Sequence, residues 1–329
     1  MTQLVRLILS VIFSLEALHA QGLQRREADP IPPQVENIYE KGLRYLAQSQ
    51  NAEGFWPDNT GAEPGVVGLC MKAFLGRGED PRHGPYSVQL ERSLNYLLSQ
   101  QNSETGYIGN SMYSHGFATL ALAESYGLFN DPRLPIALQK AVDLILTAQK
   151  RNRLKGWRYK PDSTDADSTV SGCQIIALYA ARNAGIPVPD EALNKASKYM
   201  ARCRGSNGGY GYTSGMGDKP TLTAIGLLCQ ALAQQEEEPS FRASTEYLRK
   251  QVDYRDKYYP FYFEYYMSQA LFHADEELFA LWNNKNIRYL GTIQAPDGSF
   301  PGNKGPAFST SGALLSLALN YRVLPIYER

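Results

Sequence analysis

Residues 156–185 read GWRYKPDSTDADSTVSGCQIIALYAARNAG: a Gly-aromatic turn, an acidic loop and an almost uncharged helical segment in immediate succession. A helix this poor in charge, as over residues 170–184, must be covered nearly all round. The same succession recurs along the chain. QNAEGFW (50–56) leads to GVVGLCMKAFLG (65–76), QNSETGY (101–107) to HGFATLALAESYG (115–127), and GGYGY at Gly208 to TAIGLLCQALA (223–233). The aromatic run YYPFYFEYY (258–266) leads to a helix through Phe272, and QAPDGSF (294–300) to STSGALLSLALNY (309–321).

A second kind of helix precedes each turn. Val35, Ile38, Tyr39, Gly42 and Leu46 recur at helical spacing with Glu36, Glu40, Lys41 and Arg44 between them, which predicts an amphipathic helix with one wet face. Residues 88–101, 135–149, 191–203, 241–252 and 277–294 have the same character. Gly68, Gly116, Gly172, Gly226 and Gly312 lie near the start of the buried helices, and the fifth unit has aromatic residues there instead. Gly76, Gly127 and Gly185, followed by Pro81, Pro132 and Pro187, mark helix ends. Six units of about fifty residues signal a repeat architecture. One charged-face helix and one apolar helix per unit predict two concentric layers, apolar helices inside, with almost no sheet.

The chain of 329 residues has 33 Lys+Arg against 33 Asp+Glu and no long block of one sign. That balance lacks the basic footprint of a nucleic-acid binder. Residues 1–20, MTQLVRLILSVIFSLEALHA, place Arg6 before an apolar run and end on a small residue, so they predict a secretory signal peptide and an exported protein. An N-terminal membrane anchor is the competing reading. Residues 21–33 are polar and Pro-rich and read as a linker, leaving 34–329 as one domain with no further segment fit to span a membrane. Cys70, Cys173, Cys203 and Cys229 lack metal-ligand spacing; Cys173–Cys229 is the one pairing worth checking for a disulfide. The glycine-rich residues 205–217 lack the setting of a phosphate loop, so no cofactor and no metal are expected.

The turns QNAEGFW, QNSETGY, RLKGWRY and QAPDGSF resemble the QW motifs of squalene–hopene and oxidosqualene cyclases. The six-hairpin layout is also similar to the β subunit of protein prenyltransferases. This resemblance covers nearly the whole chain after the leader and implies an all-α (α/α)6 toroid of six helical hairpins. It does not fix an activity. The prenyltransferase zinc pattern is missing, since no Asp-x-Cys pair opens a buried helix and His273 lies in the fifth hairpin; the GCGEQ stretch of complement thioester domains is absent too. DADST (165–169) resembles the DxDD of class II terpene cyclases, with Asp167 in the general-acid position, Asp165 beside it and Ser168 in place of the last Asp. Those cyclases combine two helical domains, and this chain has room for one.

Each candidate residue also has a plain structural reading. Asp165, Asp167 and Ser168 precede an apolar helix as N-cap residues do, and Thr169, Thr223 and Ser309 occupy similar places in three units. Tyr262 and Tyr266 are the members of the aromatic run expected to face a central cavity, either binding a ligand or packing. His115, ahead of the second buried helix as Asp167 is ahead of the third, and Trp157 of the aromatic turn complete the ligand-binding candidates. Three functions follow: a toroid binding an apolar small molecule or a protein partner at its cavity rim, a terpene-cyclase-type enzyme using Asp167, or a glycosidase or lyase. The last requires a second carboxyl facing Asp167, with Asp58, Asp218 or Glu264 as candidates.

Overall fold

The structure, a computed structural model, describes residues 30–327; the leader reading of 1–20 and most of the linker fall outside them. Six outer helices alternate with six inner ones: α1 Pro33–Ser49, α3 Ser87–Ser99, α5 Arg133–Arg151, α7 Asp190–Arg202, α9 Pro239–Arg249 and α11 Glu276–Ile293 outside. Inside are α2 Pro64–Arg77, α4 Met112–Ser125, α6 Ser168–Asn183, α8 Pro220–Leu232, α10 Pro260–Ala274 and α12 Pro306–Leu317. No strand forms among the described residues, only the isolated bridges Gln101–Ile108 and Arg204–Tyr210 within turns. α7 buries Leu193, Ala196, Tyr199 and Met200 along one stripe, whereas α2 buries every residue from Pro64 to Gly76. The two-layer expectation from charge patterning therefore holds.

Each inner helix packs on the next, and α12 packs on α2, so the ring closes. Small residues at the inner contacts permit this: a Cβ on Gly172 would lie 2.1 Å from Ile225 of α8. The glutamine of each QW-like turn holds the turn to the next outer helix. The Nε2 amide of Gln101 donates to the carbonyls of Gly106 and Ala137, that of Gln149 to Lys155 and Ala192, and that of Gln50 to Gly54 and Gln89. Gln294 does the same with Gly298 and Ile38, joining the last unit to α1. Gly298, at φ 92°, is the only residue type that fits there, because a side chain would meet the Lys41 carbonyl at 2.3 Å.

Asp58 closes the ring a second time. Its Oδ1 accepts from the Gly61 and Thr60 N–H groups at 2.7 and 3.1 Å, and its Oδ2 accepts from the Ala307 N–H of α12 at 2.8 Å. It is thus an N-cap supplied from the first unit to the sixth. Asp58→Ala is expected to cost about 2 kcal/mol in urea denaturation, a cap lost and a partly buried N–H left unpaired, with Asp58→Asn costing less.

After α12 the chain turns beneath the ring. The short helix Ala318–Asn320 touches α2 and α10, and Pro325–Tyr327 touches α6, on the opposite side from α12. Leu319, Tyr321, Leu324 and Ile326 are buried along this strap. The centre of the toroid is therefore closed at the C-terminal ends of the inner helices and opens at their N-terminal ends. All four cysteines are buried free thiols, so the Cys173–Cys229 pairing does not form.

Candidate functional site

All six inner helices contribute to one central cavity of about 790 Å³. Its interior is built by Val66 and Leu69 of α2, Phe117 of α4, Leu222 of α8, Tyr262 of α10 and Phe308 of α12, each within the first two turns of its helix. Tyr113, Tyr159, Tyr212 and Tyr259 form aromatic walls nearer the mouth, where Thr60, Asn110, Ser111, Ser114 and Thr221 supply polar groups and Glu63, Asp256, Lys219 and Lys304 supply charge. Stacked rings continue below: Tyr262 lies 4.8 Å from Tyr266, which lies 4.9 Å from Tyr265, and the fully buried Lys72 ammonium is 3.3 Å from the Tyr265 hydroxyl.

Asp167 is the N-cap of α6 and is fully buried. Its Oδ1 accepts from the N–H groups of Thr169 and Val170, both at 2.9 Å, and from the Thr169 hydroxyl at 2.6 Å. Its Oδ2 has no hydrogen-bond partner, with the Arg158 Nε 3.5 Å away. Burial raises its pKa, outweighing the hydrogen bonds from Thr169 and Val170 and the Arg158 charge that lower it. Asp167 does not itself line the cavity; Thr169 does, and the Tyr113 hydroxyl donates to the Thr169 hydroxyl. A hydrogen-bonded chain of Tyr113, Thr169 and Asp167 thus connects cavity to carboxyl. Asp165 is exposed and pairs with Arg158 at 2.8 Å, whose guanidinium lies between the Tyr159 and Tyr212 rings at 5.3 and 5.4 Å.

The remaining predicted residues divide. Tyr262 lines the cavity, as expected from the aromatic run, while Tyr266 sits one ring behind it, fully buried. Trp157 is corrected to a core residue: it is buried and its indole N–H donates to the Ile145 carbonyl at 2.9 Å, as Trp56 donates to Leu46, so neither faces a ligand. His115 is corrected as well. It lies in the second layer of α4, accepting the Ile108 N–H at Nδ1 and donating from Nε2 to the Ala141 carbonyl, and burial drives its pKa down to about 4, so the ring stays neutral. Its counterparts are Ser171, Thr223 and Thr310, which accept the N–H of Trp157, Tyr210 and Phe300, not Asp167. Of the expected caps, Thr169, Thr223 and Ser309 are interior helix residues; Asp167, Lys219 and Gly305 stand at the N-cap positions.

Of the carboxyls proposed to face Asp167, Asp58 caps α12 and neither Asp218 nor Glu264 lines the cavity. Tyr113, Phe117, Tyr159 and Tyr212 were missed. Two signals carried them: Tyr113 and Phe117 are an i, i+4 aromatic pair in an otherwise small-residue stretch, and Tyr159 and Tyr212 each follow a core aromatic, Trp157 and Tyr210, by two residues.

No protein-family model matches this sequence, and no curated protein does. Among solved structures, a variant of the type II terpene cyclase MstE from Scytonema, bound to its substrate geranylgeranyl dihydroxybenzoate, superposes with a TM-score of 0.63 at 16% identity, over 88% of this chain and 98% of that one. The GH76A α-1,6-mannanase from Salegentibacter sp. HEL1_6 superposes with a TM-score of 0.66 at 12% identity, over 86% and 98%. An inactive variant of that mannanase, in complex with α-1,6-mannotetrose, gives 0.66 at 10% identity over the same shares. The chain has the (α/α)6 toroid fold, which in these proteins serves a geranylgeranyl-bearing substrate in one case and an α-1,6-mannan in the other.

Proposed function

We propose that this chain is an exported toroid that binds an apolar, isoprenoid-like small molecule in its central cavity. The observation that carries this reading is the cavity itself: closed at the base by the C-terminal strap, walled by tyrosine, phenylalanine and aliphatic side chains, and sized within the roughly 300–1,000 Å³ of small-molecule sites. Cleavage of a glycosidic bond needs one carboxyl protonated as the acid with a second facing it. Of the two carboxyls at the mouth, Asp256 fails as that acid, because despite partial burial hydrogen bonds from Tyr259, Thr221 and Tyr258 hold its pKa below the usual carboxylate value, and Glu63 is tied to the Ser114 hydroxyl and the Asn110 amide. The geranylgeranyl-bearing substrate of the similar MstE fold supports the same ligand class.

The test is a titration of the purified chain, followed by tyrosine and tryptophan fluorescence, with geranylgeraniol and with α-1,6-mannotetraose. Saturable binding of the isoprenoid and none of the sugar is expected; the reverse preference overturns the reading. Export is tested separately. Mass spectrometry of the mature protein is expected to find its N-terminus at or near Gln21, and a protein retaining Met1 in the cytoplasmic fraction contradicts it.

The raised pKa and unpartnered Oδ2 of Asp167 support a second reading, terpene-cyclase-type acid catalysis with Asp167 as the proton source, for which the Tyr113 and Thr169 hydroxyls, now donating toward the carboxyl, must reverse. As a cap, Asp167→Asn is expected to leave thermal stability nearly unchanged and Asp167→Ala to lower it by about 1 kcal/mol. If Asp167 also delivers a proton, Asp167→Asn abolishes conversion of squalene or a shorter polyprenyl substrate while keeping the fold, because an amide has no acidic proton to give. No cyclic product from the wild type across that panel removes the second reading.

A further inference from the structure

We propose that the cavity takes an amphiphile with an anionic head, its chain inside the cup and a carboxylate or phosphate at the mouth, which Lys219 and Lys304 line. This rests on the apolar-cavity reading above. Four charged side chains line the mouth, and they are not equivalent. Asp256 is saturated: its Oδ2 accepts from the Thr221 and Tyr254 hydroxyls at 2.8 and 3.4 Å, and its Oδ1 accepts the Tyr258 and Tyr259 N–H groups at 2.9 Å. Glu63 accepts from the Ser114 hydroxyl at 2.8 Å and the Asn110 amide at 3.4 Å.

The two lysines have no such compensation. Among the described residues no carboxylate lies within ion-pair distance of either one; the Lys304 ammonium has only the Tyr259 ring, 5.7 Å away. Lys219 is moreover the N-cap of α8, where the positive end of a helix disfavours a cation and no side chain caps the first N–H groups. Lys304 directly precedes Gly305, the N-cap of α12. Two unpaired cations over an apolar cup, one of them at the uncapped start of α8 and the other beside the α12 start that Asp58 already caps, are complementary to an anion attached to an apolar chain.

The probes are geranylgeranyl phosphate, geranylgeraniol and inorganic phosphate, titrated into the full chain at one fixed ionic strength, and repeated on the double variant Lys219→Gln/Lys304→Gln. The lipid phosphate is expected to bind about tenfold tighter than the alcohol, as two partly exposed ion pairs allow. The double variant brings the two lipids to within about twofold of each other, and higher salt narrows the wild-type difference as well. Inorganic phosphate alone does not displace geranylgeraniol. Equal wild-type affinities, an undiminished preference in the double variant, or inorganic phosphate binding as tightly as the lipid phosphate overturns the proposal. Failure of both lipids to bind instead overturns the apolar-cavity reading beneath it.

Discussion

Trp157→Ala is expected to destabilise the protein by about 3–5 kcal/mol, the cost of removing a large buried aromatic side chain. The indole is 2% exposed, and its N–H pairs with the Ile145 carbonyl inside α5, so truncation leaves a cavity and removes the second hydrogen bond of a carbonyl that the helix ladder also engages. The backbone Trp157 N–H to Ser171 survives the change, so the loss is that of the indole's packing and of its N–H to α5. Trp157→Phe keeps most of the volume and is expected to lose about 1–2 kcal/mol. Chemical denaturation orders the three proteins. A Trp157→Ala variant of unchanged stability that no longer bound an apolar ligand would restore the ligand-facing role that the fold takes away from this residue.

Glu264→Gln is expected to stabilise the protein, and more so at higher pH. Glu264 is fully buried in α10, neither carboxylate oxygen has a hydrogen-bond partner, and the Arg255 Nε is 3.9 Å away. Burial raises its pKa to about 8, and the Arg255 charge only partly opposes this. In the unfolded chain the same carboxyl ionises near its ordinary value of 4.5. Between those two values the folded state holds a proton that the unfolded state has released, so stability falls as pH rises from about 4.5 to 8 and levels off above. The loss reaches at most about 5 kcal/mol, at about 1.4 kcal/mol for each unit of pKa difference. The glutamine variant carries no such proton, so its stability curve lacks this fall. Melting temperatures of both proteins from pH 5 to 9 measure the gap, which is expected to open with pH; a constant gap contradicts a buried, protonated Glu264.

The ring was legible because it is written as repetition. Charge on one helix and none on the next, with a turn ending in Trp, Tyr or Phe, is a pattern that survives the divergence between units. The strap below the ring was not legible, since residues 318–327 carry apolar residues that read equally well as the end of the last helix. The cavity was legible only in part. Each inner helix gives it one to three side chains, so no single stretch announces it; Tyr262 was found through a dense aromatic run, while Tyr113 and Phe117 are separate residues in a small-residue segment. At Asp167 the acidity and the capping role were both readable from DADST, but its shielding behind Thr169 depends on how the first turn of α6 faces α4. His115 and Asp167 share a place in the chain pattern but not in helix register: His115 stands four residues past the Ser111 cap, whereas Asp167 is itself the cap.

The most direct test of the central cavity is a crystal structure of the chain with geranylgeraniol. Density for the chain is expected inside the toroid, against Leu69, Phe117 and Tyr262, with the hydroxyl at the mouth near Lys219 and Lys304. An empty cavity at full ligand saturation, or ligand bound on the outer helices, would contradict the account.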